Sequence, residues 1–162
     1  MICFVDIETT GLDPERHEIW EIGIVLGNGL EREYQLPVTL LHAEARALEI
    51  GGFLERHMPS ETEDVEDARR FLLNDLSGHV FVGNNPQFDA AFLSRFLGSA
   101  PWHYHLVDVK ALCAGRLAAG RRQTPPWSTA ALLEAAGLPS ETAHTALADA
   151  KQAKAMYDWA MR

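Results

Sequence analysis

The order of the apolar patterns along the chain is what most limits its fold. Ile2 to Glu8 is rich in Ile, Phe and Val and ends on the turn-forming run Thr9-Thr10-Gly11, which predicts a first strand. Glu18 to Leu26 predicts a second strand. Asn28-Gly29 followed by Leu30 to Leu36 predicts a hairpin and a returning third. Strands joined this closely run antiparallel, and the first is a candidate for a central position. After Leu36 the pattern becomes helical, over Ala43 to His57, Asp64 to Leu76, Asn85 to Leu97, Asp108 to Leu117, Ser128 to Gly137 and Thr145 to Trp159. The helices are interrupted by the short apolar runs Val80-Phe81-Val82 and His105-Leu106-Val107, which read as inner strands. A meander that passes into alternating helices and short strands predicts an α/β layered fold, with a central mixed sheet that opens with three antiparallel strands and is flanked by helices.

The finer signals agree with that order. Val65, Ala68, Phe71, Leu72 and Leu76 form one stripe of a helix. Pro86 suits a first helical turn and Ser128 an N-cap, while Gly51-Gly52 weakens or interrupts the first helix. At 162 residues one domain spanning 1–162 is expected. No apolar run is long enough for a membrane span, and acid appears too early in Met1-Ile2-Cys3-Phe4-Val5-Asp6 for a signal peptide. The expected location is the cytoplasm. Cys3 and Cys113 sit in strand and helix patterns outside any CxxC pair, so buried free thiols are expected and a cysteine zinc site is not. The formal net charge of −9 argues against gripping long nucleic acid by charge alone, but bound divalent metals would reverse the field locally.

Chemistry is announced by Asp6-Ile7-Glu8. Strand side chains alternate, so Asp6 and Glu8 share a face about 7 Å apart. Two carboxylates at the end of an apolar strand are unfavourable if buried unpaired; a hard divalent cation between them resolves this. Solvated acids on an edge strand are the alternative on this pair alone. Two further acids stand at helix starts that follow the sheet: Asp89 in Gly83-Asn84-Asn85-Pro86-Gln87-Phe88-Asp89, and Asp149 one turn after His144. Taken alone, Asp89 reads more readily as an acid favoured by the helix dipole, and Asp149 as the solvent face of an alanine-rich helix. Open α/β folds place their sites at such strand ends. Small neighbours, Ala148 and Ala150, would let Asp149 pack close to Asp6.

Taken together, these motifs resemble those of the DEDDh exonucleases, the family of the bacterial DNA polymerase III proofreading subunit, ribonuclease T and oligoribonuclease. Asp6 to Gly11 matches the Asp-x-Glu-Thr-Thr-Gly motif, Asn85 to Asp89 the Asn-x-x-Phe-Asp motif, and His144 to Asp149 the His-x-x-x-x-Asp motif. Trp20-Glu21-Ile22-Gly23 resembles the family's second strand, and Val107-Asp108 with Leu112 its Val-Asp-Thr segment. The chain departs from the family pattern at Asn84, where His is common, at Val109, and at Gly51, where Asn is usual; these departures are expected to bear on substrate fit rather than on metal binding.

The resemblance implies a ribonuclease H-like fold and a 3′→5′ exonuclease releasing nucleoside 5′-monophosphates. It implies two Mg²⁺ or Mn²⁺ ions roughly 4 Å apart, held by Asp6, Glu8, Asp89 and Asp149, with His144 as general base. For substrate contacts it points to Thr9, Thr10, Gly11, Leu12, Asn85 and Phe88; Leu12 either presses on the last base or anchors its loop, and Phe88 is more a packing residue. Arg121 and Arg122, with Arg116, form the densest basic cluster and are candidates for phosphate contact. Asp108 is expected to be a helix cap, and the histidines other than His144 to be structural. The expected partner is a single-stranded 3′ end, with DNA favoured by the form of the first motif. A ribonuclease trimming short or structured RNA, or a docking module for a polymerase or helicase, are the rival readings.

Overall fold

The computed structural model describes residues 1–119, 127–140 and 144–162. Strand β1 (Ile2–Thr9) takes the central place, because its two faces must both be covered. Strands β2 (Ile19–Leu26) and β3 (Glu31–Gln35) continue the sheet antiparallel on one side, and β4 (Val80–Gly83) and β5 (Leu106–Asp108) continue it parallel on the other, in the order β3-β2-β1-β4-β5. The predicted mixed sheet is therefore present.

The period-two alternation of β1 divides the core. Cys3, Val5 and Ile7 face the side covered by α3 (Val65–Leu76) and α4 (Pro86–Leu97), where Leu72, Leu76, Phe92 and Leu93 are buried. Phe4 faces the other side, against α5 (Val109–Ala118), α6 (Thr129–Ala136) and α7 (Ala146–Ala160). Asp6 and Glu8 follow Phe4 in phase and so emerge beneath α7. Cys3 and Cys113 are buried free thiols.

Helix starts fall where short polar side chains accept first-turn amides. Asp64, Asp108, Ser128 and Thr145 each take one or two such N–H groups. The predicted helix from Ala43 to His57 is two pieces, α1 (Ala45–Gly51) and α2 (Phe53–Arg56). Gly52 breaks it with φ 65°, a left-handed conformation that glycine adopts without penalty. Thr9 belongs to β1 rather than to the following turn, and a bulge at Glu8/Thr9 shifts the register with β2. Among the described residues no helix is long and apolar enough to cross a membrane.

Candidate active site

β4 hydrogen-bonds to β1 only over Ile2 to Phe4. Beyond Phe4 the β4 side of β1 has lost its strand partner, and α4 turns in to fill the gap. The Ile7 N–H donates to Asp89 Oδ1 at 3.1 Å, so a carboxylate in the first turn of α4 replaces the missing ladder bond. The same corner receives the start of α7. Asp6, Glu8 and Asp149 each offer a carboxylate oxygen, all within 4.8 Å of one another. Asp89 is 3% exposed; it borders this triangle with one oxygen already engaged by β1.

The electrostatics are those of a crowded, half-dry acid cluster. Burial, followed by the charges of Asp89, Asp149, Glu8 and Glu21, pushes Asp6 well above the ordinary carboxylate range. Burial and the charges of Glu21 and Asp149 raise Glu8 to about 7, against the opposing pull of Arg56. Burial also raises Asp89 to about 7 despite its backbone hydrogen bonds. Carboxylates under this mutual repulsion are favourable only if protonated or if cations sit among them. The three convergent oxygens of Asp6, Glu8 and Asp149 are a hard, all-oxygen donor set that fits a divalent cation such as Mg²⁺ or Mn²⁺. Asp89 stands outside that group, with its Oδ1 taken by the Ile7 N–H.

His144 is exposed and lies immediately before Thr145, the N-cap of α7. With Asp6, Asn84, Asp149 and Gln152 it lines a cavity of about 310 Å³ walled on one side by α6. Asn84, one of the departures from the family pattern, thus stands in the same cavity. Gln152, 7% exposed one turn along α7 from Asp149, was not anticipated from sequence.

The loop after β1 is held from within. The Thr9 hydroxyl donates to Gly11 O at 2.7 Å, and the Thr10 hydroxyl accepts from Glu18 N–H. The Thr10 N–H donates to Glu18 O, so that amide is engaged by the protein itself and Thr10, 1% exposed, supports the loop from inside. Gly11 is needed for closeness rather than for a special turn: a Cβ there would lie 2.4 Å from the His17 ring. Leu12 is 72% exposed at the loop's tip. Across the site Asn85 is exposed, in the left-handed region at φ 55°. Phe88 packs on Phe92, with ring centroids 4.9 Å apart.

Several remaining side chains are structural. Asp108 caps α5. Arg116 bonds the Trp159 carbonyl and lies over the Trp159 ring, which ties α5 to the end of α7. Arg121 and Arg122 lie outside the described residues. Gly51 alters one expectation: a Cβ there would be 2.8 Å from Glu8 Oε2, so this departure bears directly on a candidate metal ligand and not on substrate fit alone.

Two charged residues beside the site carry no site role in the sequence reading, where Glu21 enters only as part of the second-strand resemblance and Arg56 not at all. Glu21 lies directly across from Glu8 in the β1–β2 ladder and is fully buried. Its Oε1 is 2.5 Å from Arg56 Nη1, and its Oε2 accepts the Ala146 N–H at 2.9 Å. Arg56 also donates to Gly51 O and lies over the Trp20 ring. An acid in an otherwise apolar strand, the signal that marked β1, is present in β2 as well.

Known structures share this architecture. Over 96% of this chain the fold superposes on 40% of the chain of E. coli exonuclease I in complex with a dT13 oligonucleotide, with a TM-score of 0.75 at 16% identity. The zinc-bound form of an E. coli exonuclease I complex with single-stranded DNA gives a TM-score of 0.77 over 98% of this chain and 39% of that one. The fold class is thus the ribonuclease H-like, DnaQ-type α/β architecture. Residues 3–157 match the RNase_T exonuclease family, and the chain belongs to that family, the DEDDh or DnaQ-like 3′→5′ exonucleases. Its relatives include the PolC-type DNA polymerase III of Thermotoga petrophila, 29% identical over 91% of this chain but only 11% of that protein. They also include oligoribonucleases: that of Coxiella burnetii is 30% identical over 68% of this chain and 71% of its own length, and that of Photorhabdus laumondii 29% over 95% and 90%. The chain therefore spans about a tenth of the polymerases and most of the oligoribonucleases.

Proposed function

We propose that this chain removes nucleotides one at a time from the 3′ end of single-stranded nucleic acid, releasing nucleoside 5′-monophosphates. The observation that carries the reading is the triangle of Asp6, Glu8 and Asp149 oxygens within 4.8 Å in a corner where burial disfavours bare carboxylates. Asp6, Glu8, Asp149 and Asp89 would hold two divalent cations, Mg²⁺ or Mn²⁺. Such cations supply an easier deprotonation of the attacking water and a counter-charge for the departing 3′-oxygen.

The chain's own groups do the rest. Asp89 is braced by the Ile7 amide and so holds a fixed direction. His144 stands at the open side of the cavity, before the α7 cap, where it can accept a proton from water without disturbing the helix. Leu12 and Asn85, exposed on the two loops that flank the acids, are suited to contact the terminal nucleotide, with Thr9, Thr10, Gly11 and Phe88 supporting them. Arg121 and Arg122 are retained as candidates for phosphate contact.

DNA is the substrate favoured by the Asp-x-Glu-Thr-Thr-Gly form of the first motif, which resembles the proofreading branch. RNA is the second reading, favoured because the oligoribonuclease matches extend over most of both chains. A polymerase or helicase partner would follow from the first reading. The test uses 5′-labelled DNA and RNA strands of one sequence, each incubated with Mg²⁺, Mn²⁺ or EDTA. A ladder descending by single nucleotides, present with metal and absent with EDTA, is expected, and the faster strand identifies the sugar. Internal cuts, or shortening unaffected by EDTA, would overturn the proposal.

A further inference from the structure

Glu21 takes no part in the reaction just described, yet it is a fully buried carboxylate across the ladder from Glu8. Its charge works against the site, since it adds to the repulsion felt by both Asp6 and Glu8. An apolar side chain there would be easier to bury, and buried ion pairs are often replaceable by apolar ones without loss of stability. Its presence calls for a use other than stability.

We propose that Glu21, braced by Arg56, is a positioning residue that pins the first turn of α7 to the sheet and thereby sets where Asp149 and His144 stand relative to Asp6 and Glu8. This rests on the reading of Asp6, Glu8 and Asp149 as a cation site.

The packing of α7 shows why a pin is needed. Ala146, Ala150 and Ala153, all at most 1% exposed, form the buried small-residue face of α7. Gly23 lets the backbone come in so far that a Cβ would lie 2.2 Å from the Ala146 carbonyl carbon and the Leu147 nitrogen. Small residues set how close the helix lies, but a smooth alanine face does not resist sliding or rotation. One residue of slip moves a helix by about 1.5 Å and turns it by about 100°, enough to take Asp149 out of the carboxylate triangle. A directional bond supplies the missing constraint. Ala146 N–H is one of the first-turn donors that have no acceptor within the helix. Glu21 Oε2 accepts it at 2.9 Å, while the Thr145 hydroxyl accepts Ala148 N–H at 3.1 Å. A carboxylate at a helix N-terminus is favoured by the helix dipole, and a charge-assisted bond is stronger than a neutral one.

Arg56 holds the pin from behind. It pairs with Glu21 Oε1, which Gln35 Nε2 also approaches at 3.3 Å, and it donates through Nε and Nη2 to the carbonyl of Gly51. Gly51 in turn is the residue packed against Glu8 Oε2. One guanidinium thus steadies both sides of the cation site: Glu8 through α1, and Asp149 through Glu21 and α7.

The test compares wild type, Glu21→Gln, and the double variant Glu21→Leu with Arg56→Leu. Three readings are taken: melting temperature in EDTA, Mn²⁺ affinity of the metal-free protein by calorimetry, and kcat and KM on a single-stranded oligomer. Glutamine has one acceptor oxygen where Glu21 uses two, so it keeps the Ala146 N–H bond only with its amide NH₂ turned toward Arg56; Mn²⁺ affinity and kcat are expected to fall, but clearly less than in the double variant. The double variant removes the pin but leaves no unpaired charge. It is expected to fold with a metal-free melting temperature at or above that of wild type, to bind Mn²⁺ more weakly, and to lose roughly tenfold or more in kcat, the equivalent of one charge-assisted hydrogen bond, with KM little changed. A double variant that binds Mn²⁺ and turns over like wild type would overturn the positioning role, as would a glutamine variant as impaired as the double. A wild-type protein that binds no Mn²⁺ would instead overturn the cation-site reading beneath it.

Discussion

At the scale of single residues, the acids make the metal-free protein sensitive to pH in an unusual direction. Glu8 and Asp89 sit at about 7, and Asp6 is raised well above its ordinary range. Below their ordinary range these groups are protonated in both folded and unfolded chains, and stability is unaffected. As pH rises further the unfolded chain ionises first, so the folded chain holds more protons and loses stability through about 7. The melting temperature in EDTA is expected to fall from acidic to neutral pH, with a shallower fall in Asp6→Asn. Equal slopes for the two proteins would show that Asp6 carries no such repulsion.

His144 gives a second prediction at this scale. Asparagine at 144 accepts no proton near neutrality, so His144→Asn should lose roughly 10²–10⁴-fold in single-turnover rate at saturating metal. Parallel pH–rate profiles within about threefold of each other would take proton transfer away from His144. Asp6 and Glu8 stand out in sequence because they interrupt an apolar strand at a spacing of two, whereas Asp89 and Asp149 are singled out only by their match to the family motifs; the structure brings Asp6, Glu8 and Asp149 together. Glu21 carries the same signal as Asp6 and Glu8, yet sequence marks it only as part of a second-strand resemblance and not as a site residue. Its meaning depends on standing across from Glu8 and beneath Ala146, and a pairing between positions 21 and 146 has no trace in local periodicity.

At the scale of elements, the strands and helices followed their sequence signals closely, with boundaries moved by a residue or two. The exceptions have local causes. Gly52 adopts φ 65° and splits the first predicted helix, at the Gly51-Gly52 pair where the sequence weakens it, and β1 runs on through Thr9, where a bulge keeps it paired to β2. What sequence did not show was how near α7 lies to β2, since that nearness is written in the absence of a side chain at Gly23. Gly23→Ala should therefore destabilise by about 1–3 kcal/mol through overpacking and weaken Mn²⁺ binding, measured by denaturant unfolding and calorimetry. Gly115→Ala in α5, where a Cβ meets nothing within 4 Å, is expected to stabilise by about 0.5–1 kcal/mol from helix propensity. Similar behaviour of the two variants would remove the steric account of the α7 seat.

At the scale of the whole molecule, the sheet order explains why one corner becomes the site. β1 outruns β4, so the central strand carries its acids past its parallel neighbour, into a gap closed by the starts of α4 and α7. For the proposed polyanionic substrate of a chain of net charge −9, this corner is where bound cations would invert the local field. The central claim is that the β1, α4 and α7 acids act as one cation site that performs the cleavage. Its most direct test titrates Mn²⁺ into metal-free wild type and Asp6→Asn at neutral pH, following melting temperature and shortening of a 5′-labelled single strand on the same samples. Wild type is expected to gain melting temperature and cleavage over the same Mn²⁺ range. Asp6→Asn should start more stable, gain less, and cleave almost nothing at any Mn²⁺ concentration; cleavage by Asp6→Asn at the wild-type rate under saturating Mn²⁺ would contradict the claim.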